Sequence, residues 1–113
     1  MSNVTPFLLS ANKMRDFFGL RYDTQARTQF VLENLDEYRP VASWETSGEG
    51  EVVAEEVFDL SNNPSRQEDR DYYWGNERSL SVGDLVEVRD TSGVKYFLCN
   101  SFGWSEVRLP RSL

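Results

Sequence analysis

Between Asp84 and Leu109 the chain reads "DLVEVRD-TSG-VKYFLCNS-FGW-SEVRL". Three runs rich in β-branched and aromatic residues are separated by two short turns, each holding a glycine. Period-two alternation bounded by such turns is the signature of antiparallel strands. Gly93 and Gly103 supply the positive-φ conformations that tight hairpins need. The spacing therefore predicts strands at Asp84–Asp90, Val94–Ser101 and Ser105–Leu109, with Pro110 as the stop. On this reading Val86 and Val88 share a face with one set drawn from Tyr96, Leu98 and Asn100.

Upstream the period changes. Residues 1–9 read as a short extended arm with Phe7, Leu8 and Leu9 able to dock. Ser10 or Asn12 can cap a helix through Phe18, with Gly19 as its stop and Met14, Phe17 and Phe18 on one face. A second helix begins at Asp23 or Thr24, carries Ala26, Phe30, Val31, Leu35 and Tyr38, and ends at Arg39-Pro40. "VASWE" (Val41 to Glu45) reads as a short strand. "EVVAEEVFDLSNN" fits either period. As a strand it would bury Glu56. As a helix it puts Val53, Val57 and Leu60 on one stripe flanked by Ala54 and Phe58, and leaves Glu55, Glu56 and Asp59 in water. Burying an unpaired carboxylate is costly, so the helix is preferred. Residues 61–78 read as a long polar connection holding an aromatic knot at Tyr72, Tyr73 and Trp74.

The expected fold class is α+β: one small domain over 1–113, with N-terminal helices (1–40) packed on a C-terminal antiparallel sheet that a strand and a helix precede (41–113). Seven Phe, five Tyr and three Trp can fill a core at this length. One core is expected to combine Leu85, Val86, Phe97, Phe102 and Trp104 with Phe30 and Leu35.

Composition narrows function. Twelve basic against 19 acidic residues give a net charge of −7, which repels a phosphate backbone. Histidine is absent and Cys99 is the single cysteine, so a Cys-His nucleophile and an internal disulfide are both impossible. No apolar run approaches a membrane span, and the first residues lack a basic segment followed by a long apolar one, so a cytoplasmic protein is expected. No cofactor and no metal is expected. "QEDRD" offers three acids, but Arg66 and Arg70 sit among them.

Four candidate sites remain. In "SVGD", Ser81 and Asp84 are expected to satisfy backbone donors around a strained Gly83, in preference to a catalytic role for Asp84. Cys99 is expected to be a buried, inert strand thiol. The aromatic loop, Tyr72, Tyr73 and Trp74 with Arg70 and Arg78, has the residue types that dominate protein interfaces; the same set could stack unpaired bases. The acidic set Glu45, Glu49, Glu51, Glu55, Glu56 and Asp59 is either a solvated face or an imitation of a phosphate row.

"AEEVFDLSNNP" followed by "RSLSVGDLVEV" and "YFLCNSFGWSEV" resembles the YodL-like domain of phage, plasmid and mobile-element proteins, over about residues 51–107. Leu80, Ser81, Val82, Asp84, Leu85 and Val86 sit on its strand-entry pattern. Gly83 replaces a more usual serine, Trp104 stands where phenylalanine is common, and "SRQEDRDYYWGNE" lengthens the loop. The resemblance implies an accessory protein of a mobile element. Together with size and acidity it points to a non-enzymatic factor that binds a host or defence protein, as an inhibitor of anti-restriction or anti-CRISPR type. Alternatives are an acidic nucleic-acid mimic and a single-strand binder using the aromatic loop. Expected partner contacts are Tyr72, Tyr73, Trp74, Arg70, Arg78, Glu55, Glu56 and Asp59; the oligomeric state is left open.

Overall fold

The first nine residues are not an arm. In the computed structural model, which describes residues 1–20 and 22–113, Ser2–Leu9 is an inner strand, β1. It is followed by helices α1 (Ala11–Phe18) and α2 (Thr24–Glu33), and by short strands β2 (Tyr38–Pro40) and β3 (Trp44–Thr46). Helices α3 (Glu51–Asn62) and α4 (Gln67–Tyr73) precede strands β4 (Leu85–Asp90), β5 (Gly93–Cys99) and β6 (Trp104–Val107). All pairings are antiparallel, in the order β2-β1-β4-β5-β6, and β3 pairs with the opposite end of the β1 edge that β2 occupies. The α+β class expected from the sequence is what the chain adopts.

Proline inside an inner strand needs a reason, because it removes a ladder donor. Pro6 faces Val86 across the β1–β4 pair, and its carbonyl accepts from Val41 N on the other edge (3.2 Å). In an extended strand the N–H and C=O of one residue point the same way, so the missing donor also lies toward that edge. There β2 has ended and β3 has not begun, and no ladder bond is lost.

The sheet is buried on both faces, and this separates residues that the sequence reading had joined. On one face Val4, Leu8, Val86, Val88 and Phe97 pack under Val53, Ala54, Val57 and Leu60 of α3, with Trp74 and Leu80. On the other, Phe7, Leu9, Leu85, Tyr96 and Leu98 pack against Phe17 of α1, Val31 of α2, Leu35 and Tyr38. The hairpin register pairs Val86 with Phe97 and Leu85 with Leu98. Val86 and Val88 therefore lie with Phe97, not with Tyr96 and Leu98. Leu85 shares its core with Leu35 and Phe30, whereas Val86, Phe97 and the half-buried Trp104 belong to the opposite face. Phe102 belongs to neither; it is 89% exposed.

Three boundaries also differ. Helix α2 stops at Glu33, where the Asn34 side chain turns back to donate to Phe30 O (2.8 Å). This is the competition with backbone bonding that makes Asn a poor helix residue. Leu35–Glu37 is a 3-10 turn, and Tyr38 leads a strand, its hydroxyl donating to Gly83 O (2.7 Å). The "VASWE" strand begins only at Trp44. The polar connection of 61–78 contains a 3-10 turn, Pro64–Arg66, capped by Asn63 accepting from Ser65 N, and α4 follows it directly. Glu68 and Asp69 lie in its first turn and Arg70 in its last, the charge order that suits a helix dipole. Helix α3 forms as expected.

Because both faces are covered, adjacent β4 residues should both be costly to truncate. Leu85→Ala is expected to lose about 2 to 5 kcal/mol, and Val86→Ala at least about 1.6 kcal/mol from two buried methylene equivalents. Chemical denaturation of the two single variants measures this; one neutral substitution would contradict a two-faced sheet.

Candidate partner-binding surface

The "SVGD" turn is built as scaffold. Gly83 has φ +100°, and a Cβ there would sit 3.0 Å from a Phe17 ring carbon, so only glycine fits without strain. Asp84 N donates to Ser81 O (3.0 Å), and Ser81 N returns a bond to Asp84 Oδ2 (2.8 Å). Leu9 N donates to Oδ1 (2.8 Å). Arg78 completes the set with a two-pronged pair, Nη1 to Oδ2 at 2.7 Å and Nη2 to Oδ1 at 2.8 Å. The sequence reading had placed Arg78 among the partner contacts. Its guanidinium is instead spent on Asp84 and on the carbonyls of Leu9 and Ser79.

Arg70 is spent in the same way. It donates to the carbonyls of Ser61, Gly75 and Glu77, and so closes the loop after α4. Trp74 is 2% exposed, and its Nε1 donates to Arg78 O (2.9 Å), so its ring is core and not a surface anchor. Of the aromatic knot, the tyrosines face out. Tyr72 is 82% exposed and Tyr73 is half-exposed. Their rings meet edge to face at 4.8 Å, and Tyr73 packs 5.4 Å from Trp44. The knot divides because a helical turn cannot point three successive side chains the same way.

The acidic face of α3 is real but not bare. Arg66 donates to Glu56 (2.8 Å) and Asp59 (3.1 Å), and both Nε and Nη2 reach Asp69. Asp59 also accepts from Asn63 (3.2 Å), and Glu55 accepts from Trp104 Nε1 (2.9 Å). Glu55, Glu56 and Asp59 are brought together on the layer that carries Tyr72 and Tyr73. Residues 51–73 hold seven carboxylates and two arginines, −5 of the chain's net −7.

Cys99 is buried, and burial above all, with the nearby carboxylates of Asp84 and Glu55, pushes its thiol up to about 12. Among the described residues no cluster of three His, Cys, Asp or Glu is arranged to hold a metal, and no helix is long and apolar enough to cross a membrane.

One surface group escaped the sequence reading. Phe102, at the tip of the β5–β6 turn, stacks on Tyr22 at 6.4 Å, and Arg27 lies over the rings of Tyr22 (5.6 Å) and Phe17 (5.0 Å). The available signal was a large apolar residue in a glycine turn, "NSFGW", where exposure is the rule.

No family model, curated protein or solved structure matches the chain. The motif residues that carry the YodL-like resemblance, Leu80 to Val86, form the entry to β4 and the Asp84 turn.

The buried thiol makes stability fall in alkali. The folded value lies above the ordinary 9.0. The stabilisation is therefore complete below about pH 9 and lost as pH rises through the folded value. Tyr38, raised by burial and by Asp84, acts in the same direction. Urea midpoints are expected to fall between pH 8 and 11, and Cys99 to resist a thiol reagent at pH 8 until the chain is unfolded. Rapid native labelling with a flat pH profile would contradict this.

Proposed function

We propose that the chain is a small acidic, non-enzymatic protein-binding factor that docks its α3–α4 layer on a basic surface of a partner protein. The observation that carries this reading is the coincidence, on that layer, of most of the net charge with two outward tyrosines. Tyrosines in a charged surround are efficient interface anchors: they bury a large area at low entropic cost and keep a polar tip. The carboxylates around them, Glu55, Glu56, Asp59 and Glu68 among them, would supply steering and orientation toward a positive patch. The YodL-like resemblance supports a mobile-element origin. An inhibitor of a host or defence protein, of anti-restriction or anti-CRISPR type and working in the cytoplasm, is the form of this activity that fits size, charge and resemblance together.

A nucleic-acid mimic would use the same layer with the carboxylates as a phosphate row. Arg66 argues against it, because it neutralises part of that row at Glu56 and Asp59. A single-strand binder is less favoured still. With Trp74 buried and Arg70 and Arg78 engaged internally, its stacking set shrinks to two tyrosines beside Glu68, Asp69 and Asp71.

A photo-crosslinking residue placed at Tyr72 tests the proposal against the same probe at Gln29, which is exposed on α2. The Tyr72 probe is expected to capture one basic protein that the Gln29 probe does not. Identical capture from both positions, or none from Tyr72, would count against it. A labelled oligonucleotide shifted by the purified protein alone would favour the single-strand reading instead.

Tyr72→Ala combined with Tyr73→Ala is expected to change stability by only about 0.5 kcal/mol. It should cost at least about 1.4 kcal/mol, tenfold, in affinity for the captured partner. Calorimetric titration with that partner measures the loss, and unchanged affinity would move the interface elsewhere.

A further inference from the structure

A charged side chain removed from water needs an opposite charge or a full set of hydrogen bonds. Among the described residues, every buried charge meets that rule except one. Arg27, in the first turn of α2, is 6% exposed. Among the described residues it has no carboxylate partner. Its Nη1 donates to Asn100 Oδ1 (3.0 Å), and its Nε is sealed from solvent with no partner at all. The rings of Phe17 and Tyr22, near its guanidinium, offset part of the desolvation cost through cation–π attraction, but they do not satisfy the N–H donors.

The surroundings are a crevice. A cavity of about 380 Å³ is lined by Phe18, Tyr22, Arg27, Val82 and Ser101. It shares Tyr22, Arg27 and Ser101 with a neighbour of about 250 Å³ that reaches Phe102 and Ser105. Neither is lined by a single carboxylate, in a chain with 19 of them. Acids around the crevice are committed elsewhere: Asp23, between Tyr22 and Thr24, accepts from Ala26 N at the start of α2 (2.9 Å), Asp84 pairs with Arg78, and Glu55 accepts from Trp104. The crevice thus combines a cation without a counter-charge, hydroxyl groups and exposed aromatic walls.

We infer that this crevice binds a single carboxylate carried on a flat apolar body. Once the Tyr22–Phe102 stack opens, the guanidinium edge formed by Nε and Nη2, which carries no partner among the described residues, matches a carboxylate with two parallel bonds. One carboxylate balances the single positive charge of Arg27, whereas a dianionic phosphate would leave the crevice with a net negative charge. Tyr22 and Phe102 are exposed and stacked on each other, so they can part to clasp a planar group. The site lies beside α1 and α2, and its second cavity reaches Trp104, whose Nε1 donates to Glu55 of α3.

The chemistry fits a free aromatic acid or the C-terminal residue of a peptide, and one titration set separates them. The probes are 3-phenylpropionate, its neutral amide, and a tetrapeptide ending in phenylalanine with a free or an amidated C-terminus. The readout is the Arg27 Nε–Hε resonance. It is expected to move saturably with 3-phenylpropionate and not with the amide. Tyr22→Ala and Phe102→Ala, at exposed positions that leave the fold intact, should each weaken binding roughly fivefold. Arg27→Gln should abolish binding, with circular dichroism reporting whether that variant folds. Tighter binding of the free-acid peptide than of 3-phenylpropionate identifies a chain terminus as the source; equal or weaker binding identifies a small acid. Amide and acid binding alike, no saturation through the millimolar range, or unchanged affinity in Tyr22→Ala would overturn the inference.

Discussion

Asp84 has no exposed surface and holds four hydrogen bonds, two on each carboxylate oxygen. A carboxylate in that position is tolerated only when its acceptor sites are filled, and the residues that fill them come from three places in the chain. Leu9 ends β1, Ser81 lies in the turn before β4, and Arg78 follows the loop after α4. Arg78 also takes Leu9 O at 2.8 Å, so both backbone groups of one β1 residue are tied to the β4 entry. Gly83, next to Asp84, receives the Tyr38 hydroxyl and donates to Cys99 O at 2.9 Å. One node therefore fixes β1 beside β4, β2 on the other side of β1 and the end of β5.

This explains why "RSLSVGDLVEV" stands out as a motif. Its polar residues are those that a strand entry between two buried faces needs in order to leave no backbone donor unmet. Arg78 and Asp84 are six residues apart, on either side of a turn, and no local periodicity links them. The half of the node that involves Leu9 depends on a contact 75 residues away in sequence.

What could be read from the sequence follows the range of the determining interactions. The C-terminal hairpins were legible because alternation and glycine turns are local. Helix α3 was legible because one period would have buried Glu56. Strand β1 was not: "VTPFLL" buries both faces and so lacks alternation, and Pro6 is acceptable only because of a gap in a neighbouring ladder. The end of α2 turned on a single side-chain bond from Asn34, and the polar run that holds α4 carries no apolar period to announce a helix. Of the candidate contacts, Tyr72, Tyr73, Glu55 and Glu56 lie exposed. Trp74, Arg70 and Arg78 do not, because large rings and guanidinium forks serve equally well as interface anchors and as internal braces. The acidic α3–α4 layer and the Arg27 crevice meet at Trp104, which lines the second cavity and donates to Glu55.

The central claim is that the Arg78–Asp84 pair is structural and that recognition lies elsewhere. A double-mutant cycle with Asp84→Ala, Arg78→Ala and the double variant, read by urea denaturation, tests it most directly. Asp84→Ala alone should destabilise by about 3 to 5 kcal/mol, because it leaves a cation and two backbone donors unmatched. The coupling between the two sites should exceed about 1 kcal/mol, as expected of direct partners in one network. Additive, near-neutral effects on stability, with loss of partner binding in the Arg78→Ala variant, would contradict the account and make Arg78 a recognition residue after all.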